Sequence, residues 1–400
     1  MSRSVDELLA RGHALNSPNY APADVIFDRG DGVWLTDSTG QRYLDFVAGI
    51  AVCALGHAHP RLTEALHDQV DRLLHVSNMY FTQEQIELME RLVDGSFADR
   101  VFFCNSGAEA NEAAFKLARR YQSKIADAPE KTKILSMKSS FHGRTLAAIT
   151  ATGQPKYHDG FAPLAPRFEY TPFNNTEALR NNFDDTVGAV IVEPIQGEGG
   201  IKPAREEFLK TARALCDDHG ALLIYDEVQT GVGRTGSLFA YQHYGVTPDI
   251  MSLAKGLGGG VPVAATLATE EVWQGWKRGS HASTFGGNPL ATRAGKVVLD
   301  VIDDDDLLDN ACNRGQQLRD GLRELADDYG DIITDVRGTG LMVGAECGDK
   351  ASAIVDRARD EGLLINTAGG DTLRFVPPLI ISADHVDQAL ERLRRALDRC

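Results

Sequence analysis

The chain has 400 residues, 43% of them hydrophobic, and carries a formal net charge of −16. That length allows two or three domains around a large core. The charge argues against non-specific nucleic-acid binding, and no apolar run is long enough for a helical membrane span.

The N-terminus, MSRSVDELLARG, lacks the apolar core of a signal peptide, which places the protein in the cytoplasm. Cys53, Cys104, Cys216, Cys312, Cys347 and Cys400 form no CxxC pairs and have no neighbouring histidines. They read as reduced, mostly structural thiols. Asp303 to Asp306 read as a solvated acidic loop, and no metal site is expected.

Taken in order, residues 4–12 fit a short amphipathic helix. Beyond it, NYAPADVIFDRGDGVWLTDSTGQRYLDF alternates apolar and polar residues around turn signals, as a small antiparallel sheet does. Tyr20 of NYAP is either a sheet-edge aromatic or points into a site. His57 and His59 of GIAVCALGHAHP have no third ligand nearby and read as structural. Helices are expected over 60–76 and 83–93, followed by strands at 101–104, 134–137, 190–193, 222–225 and 250–253, separated by helical stretches. Such alternation predicts a mostly parallel sheet wrapped by helices. From about residue 290 the pattern changes: helices over 288–302, 306–328, 352–359 and 384–398, a strand in RGTGLMVGAEC and a hairpin in LLINTAGGDTLRFVPP. The expected organisation is an N-terminal segment, 1–59, a large domain, 60–290, and a smaller α+β domain, 291–400, that packs with the N-terminal sheet.

One stretch organises the chemistry. In ALLIYDEVQ an apolar run ends on Asp226 and Glu227, where an open α/β sheet places its ligands. A second run, IMSLA, ends on Lys255 before Gly256 to Gly260. A lysine between a buried strand and a glycine loop is costly to desolvate. Pyridoxal phosphate chemistry accounts for both ends: Lys255 would carry the cofactor as a Schiff base, and Asp226 would hold its ring nitrogen protonated. A rival reading takes GVGRTG, residues 231–236, as a dinucleotide loop of an NAD-dependent oxidoreductase. It is disfavoured by two acids where a pyrophosphate would sit, and by Asp249, which falls short of the ribose-binding spacing.

Other turns are ambiguous alone. In VFFCNSGAEANE the helix start at Ser106, Gly107 and Ala108 suits a phosphate, but Ser106 and Glu109 also fit a capping box. Phe141 and Arg144 of SSFHGRT are a core aromatic and a surface cation unless a ligand lies between. Glu193 and Glu198 flank a glycine turn. Ser283 and Thr284 precede a Gly-Gly-Asn-Pro break, where small hydroxyls usually cap a helix.

Together, DEVQTGVGRTG and SLAKGLGGG resemble the aspartate and lysine segments of the pyridoxal-phosphate aminotransferases, in the subgroup that includes acetylornithine and ornithine aminotransferases. NSGAEANE, FHGRT and RFVPPL are similar to further segments of that family, and the resemblance runs from NYAP to RFVPPL. It implies a fold-type I pyridoxal-phosphate transferase, α/β, with a smaller α+β domain formed by both termini. It implies Gly107 and Ala108 at the cofactor phosphate, Phe141 stacked on the ring and Gln229 on the ring hydroxyl. Arg144 would grip a substrate carboxylate and Glu198 would pair with Arg374. The active unit would be a homodimer with shared sites, in which Thr284 binds the neighbouring subunit's cofactor phosphate and Ser283 lies near its substrate. The implied reaction moves the δ-amino group of N2-acetyl-L-ornithine to 2-oxoglutarate, in arginine biosynthesis. Succinylornithine, ornithine, 4-aminobutyrate and lysine-pathway donors are the alternatives. Ile50 occupies the place where ornithine aminotransferases carry a tyrosine, which would favour an acylated donor.

Overall fold

A computed structural model describes residues 3–400. Its centre is a seven-stranded sheet in the spatial order Arg100–Cys104, Ala264–Ala268, Ile250–Leu253, Leu222–Asp226, Val187–Val192, Lys133–Met137, Phe168–Thr171. Ala264–Ala268 runs antiparallel to both neighbours, and the other pairings are parallel. Every residue of Val187–Val192 and Leu222–Asp226 is buried. Helices cover both faces of such a sheet, so its central strands read as unbroken apolar runs.

The expected strands are all present, with two more. Ala264–Ala268 is written in AATLA, whose small residues carry little strand propensity. Phe168–Thr171 is a short edge strand. Both hold because their neighbours offer unpaired backbone groups.

Sheet pairing joins the two ends of the chain. Phe27–Asp31, Trp34–Asp37 and Arg42–Asp45 form an antiparallel meander, and Leu363–Leu364 adds to it in parallel beside Arg42–Asp45. The expected hairpin therefore loses its first residues to another sheet; only Asn366–Ala368 and Thr372–Phe375 pair with each other. RGTGLMVGAEC forms two strands rather than one, Asp335–Thr339 and Met342–Glu346. The chain turns at Gly340, φ +54°, where a Cβ would lie 2.4 Å from the Thr235 carbonyl carbon. The helix expected over 60–76 stops earlier, at Pro60–Arg72. The acidic run is not a free loop: Asp303 and Asp304 end the helix Pro289–Asp304 and pair with Arg91 and Arg61.

GVGRTG does not open a dinucleotide-binding helix, which removes the oxidoreductase reading. It forms turns, and the next helix, Ala240–Tyr244, has only 5 residues. Arg234 is buried and donates to the carbonyls of Leu341, at 3.1 Å, and Pro377. Burial alone pushes its pKa down to about 9. This motif ties the large sheet to the C-terminal strands. Arg234→Ala is expected to lower unfolding free energy by about 3 kcal/mol, since it orphans buried carbonyls and leaves a cavity. Urea unfolding that shifts by less than a third of that would remove Arg234 from this role.

Candidate active site

Five strands of the large sheet, Arg100–Cys104, Lys133–Met137, Val187–Val192, Leu222–Asp226 and Ile250–Leu253, end at one rim. The segments that follow them line a cavity of 320 Å³. Lys255, Asp226, Phe141, Gln229 and Glu198 all face it, as do Ser106, Gly107 and Ala108. Open α/β sheets build sites at this edge because the helix N-termini point there.

Lys255 begins a short 3-10 turn at φ +42°, an uncommon conformation for a residue with a side chain. Burial pushes its pKa down to about 8, against partial compensation from Glu198 and Asp226. An amine so placed is readily freed of its proton and is a competent nucleophile toward a carbonyl.

Asp226 is held on three sides. Its Oδ2 accepts from Asn111 Nδ2 and pairs with His142 Nδ1, both at 2.8 Å, and its Oδ1 accepts from the Val228 amide at 3.0 Å. His142 and Asn111 were not distinguished in the sequence, although both lie inside quoted motifs. Glu227 turns the other way. It accepts from the amides of Ala240 and Tyr241 and from the Thr230 hydroxyl, and burial raises its pKa to about 7. Glu193 is also buried below the rim, which raises its pKa, and accepts from the amides of Phe141 and Gly197.

Ser106 caps the 18-residue helix Gly107–Lys124 and accepts from the Glu109 amide at 3.3 Å. The capping box is not closed. Glu109 Oε2 reaches past Ser106 to the Asn105 amide, at 2.7 Å. Gly107 and Ala108 thus present the first turn, whose N–H groups have no intrahelical partner, to the cavity. Gly107 must lack a Cβ, because one would lie 2.7 Å from Val228 Cγ1.

The remaining candidates surround this centre. Arg374, on the strand Thr372–Phe375, is 1% exposed, and its Nη1 donates to Glu198 Oε1 at 2.5 Å while its Nε donates to Asn366. Arg144 does not line the cavity. It follows Gly143, which does, and its guanidinium sits 4.0 Å from the Tyr157 ring centre and 5.4 Å from that of Phe141. Ser283 Oγ accepts from Asn105 Nδ2 of the same chain at 3.2 Å, and Thr284 is exposed. Tyr20 is 70% exposed and away from the cavity lining. Ile50 is absent from that lining too; Val52 takes the place. The backbone between them is left-handed: Ala48, Gly49, Ile50 and Ala51 all have φ between 49° and 65°.

A lysine that loses its proton easily, a carboxylate fixed by three donors and free helix-end amides are what a carbonyl-bearing anionic cofactor with a basic ring nitrogen requires. Fold and site together define a fold-type I pyridoxal-phosphate transferase. The chain belongs to the class-III aminotransferases: the family described as Aminotransferase class-III matches residues 15–397. It is 51% identical to the acetylornithine aminotransferase of Synechocystis sp., covering 94% of this chain and 90% of that one. It is 47% identical to the succinylornithine transaminase/acetylornithine aminotransferase of Pseudomonas aeruginosa, with 95% and 94% covered. The crystal structure of N-acetylornithine aminotransferase from Stenotrophomonas maltophilia superposes with a TM-score of 0.85 at 40% identity, covering 98% of each chain.

The enzyme is therefore a pyridoxal-phosphate-dependent aminotransferase. The donor set fits that cofactor, and two buried atoms, Gln229 Oε1 and His142 Nε2, have no hydrogen-bond partner within the chain. Among the described residues no helix is long and apolar enough to cross a membrane.

Proposed function

We propose that this enzyme moves the δ-amino group of N2-acetyl-L-ornithine to 2-oxoglutarate, giving N-acetyl-L-glutamate 5-semialdehyde and L-glutamate, in the cytoplasm and in arginine biosynthesis. Pyridoxal phosphate, when bound, supplies the electron sink that stabilises a substrate carbanion and carries the amino group between the two half-reactions. Lys255 would hold it covalently, Asp226 would keep its ring nitrogen protonated, and Gln229 would reach the ring hydroxyl. Gly107 and Ala108 would take the phosphate, with Ser106 capping that turn, and Phe141 would stack on the ring. Lys255 Nζ then moves the proton to and from the substrate carbon that bears the amino group.

The observation that carries the substrate reading is the Glu198–Arg374 pair beside the cavity. A buried arginine cannot be left without an anion except at a cost of several kcal/mol. Glu198 is the partner while the donor binds by its single carboxylate at Arg144. A dicarboxylate acceptor brings its own replacement, so Arg374 takes its α-carboxylate and Glu198 swings away. Val52 offers no polar partner for a free α-amino group, which suits an acylated one.

Glu198→Ala is expected to raise the ratio of glutamate to acetylornithine turnover at least about tenfold, equivalent to 1.4 kcal/mol of discrimination. An unchanged ratio would end the exchange scheme. The donor itself is tested by adding N2-acetylornithine, ornithine or 4-aminobutyrate without keto acid and following the visible absorbance of the bound cofactor. Fast bleaching by acetylornithine and slow bleaching by ornithine are expected; the reverse would replace the substrate and keep the chemistry.

The enzyme is further proposed to act as a homodimer. Met79, Phe81 and Phe285 are 78%, 79% and 62% exposed. Asn78 Nδ2 bonds to the carbonyls of Ser283 and Gly286, which ties the segment carrying Met79 and Phe81 to the one carrying the exposed Thr284 and Phe285. A second copy covering it would bring Thr284 and Ser283 to the neighbouring site and give Tyr20 a place at its mouth.

A further inference from the structure

A second cavity, of 480 Å³, is lined by Val47, Gly49 and Cys53 of the same left-handed segment but not by Val52, which lines the first. Its walls are mostly apolar, with Val25, Phe27, Leu35, Val355 and Ile365 among them, and its polar groups are Asp45, His57, Cys53 and Arg359. Arg359 is engaged by Asp356 at 2.8 Å. The other three form a connected set that the transamination machinery does not use.

Asp45 is 2% exposed and fixed: its Oδ1 accepts from the amides of Val47 and Ala48, both at 2.9 Å. Its Oδ2 pairs with His57 Nε2 at 2.8 Å. The His57 backbone is pinned by two hydrogen bonds to Gly32. Cys53, partly buried, contacts the imidazole, and Asp45 and Cys53 together raise the His57 pKa to about 9. No histidine adjoins Cys53 in the sequence; the fold brings His57 to the same cavity.

A thiol against an imidazole that a buried carboxylate orients is the arrangement that activates cysteine nucleophiles. We infer that Cys53 is a covalent modification site for small apolar soft electrophiles of the α,β-unsaturated carbonyl class. His57, held protonated by its pairing with Asp45, stabilises the negative charge that the sulfur develops as it attacks. Sulfur adds to the β-carbon and forms the C–S bond. The C=C π pair moves to the α-carbon, which takes a proton from His57, the thiol proton replaces it on the imidazole, and nothing is released. The apolar walls hold the remainder of the electrophile, which a charged alkylating agent could not exploit.

The test treats holoenzyme with substoichiometric N-ethylmaleimide and follows each cysteine by peptide mass spectrometry. Cys312 and Cys400 are exposed and serve as internal references. Cys53 is expected to react at least about tenfold faster than either, although it is the least accessible of the three, and His57→Gln is expected to remove that advantage. Cys53 reacting no faster than the two references in the wild-type protein overturns the proposal without recourse to any variant. An advantage that survives in folded His57→Gln overturns the role given to the imidazole.

Discussion

Lys255→Ala is expected to leave a folded, colourless protein whose kcat is lower by at least about 10³-fold, the scale of a lost proton-transfer group together with a lost covalent anchor. Lys255 stands where the strand Ile250–Leu253 meets the glycine loop, lines the cavity, and has its pKa pushed down to about 8 by burial. Below that value Nζ holds a proton and cannot attack a carbonyl; as pH rises through it the amine is freed, well short of the ordinary lysine value of 10.5. The rate at which cofactor-stripped enzyme recombines with pyridoxal phosphate should therefore rise with a midpoint near 8. A variant that keeps its yellow colour after denaturation, or retains activity within tenfold, would relocate the covalent anchor.

Asp226→Asn is expected to reduce kcat by about 10²- to 10⁴-fold with a much smaller change in KM. The substitution preserves size but removes the negative charge that keeps a ring nitrogen protonated. Its side effect is structural. Asn111, His142 and the Val228 amide all donate to this carboxylate, and an amide cannot accept from all three. A stability loss of about 1–2 kcal/mol should accompany the kinetic one. Asp226→Glu separates the two effects, because it restores the charge and disturbs the packing. If Asp226→Asn kept kcat within a few-fold while losing stability, Asp226 would be a structural carboxylate.

Much of this site is legible in the chain because its parts are sequence-local. A buried strand that stops on an aspartate, a second that stops on a lysine before glycines, and a strand that turns at Asn105-Ser106-Gly107 into a helix each announce themselves through patterns a few residues long. The partners are not legible in that way. Asn111 and His142 meet Asp226 across separations of 115 and 84 residues, and Arg374 meets Glu198 across 176. For Arg374 only family resemblance suggested the contact. Ile50 marks the limit of reading by position: it does not line the cavity, whereas Val52, two residues on, does, after a left-handed turn that costs about 1–2 kcal/mol per residue with a side chain.

From its residue order alone, the chain specifies the class of architecture and the kind of chemistry: which segments are buried strands, which ends carry a lysine or a carboxylate, and which turn opens a helix. Periodicity and turn chemistry act over a handful of residues, so these survive without a third dimension. Folding then selects which of two adjacent carboxylates faces the cavity, since successive residues leave a strand on opposite faces and packing sends Glu227 to the helix Ala240–Tyr244. It also decided that Leu363–Leu364 leaves its hairpin for the N-terminal sheet, and that Cys53 lies against His57 and Asp45. In each case two groups compete for one partner, and the winner is set by distance and burial, which only the folded chain defines.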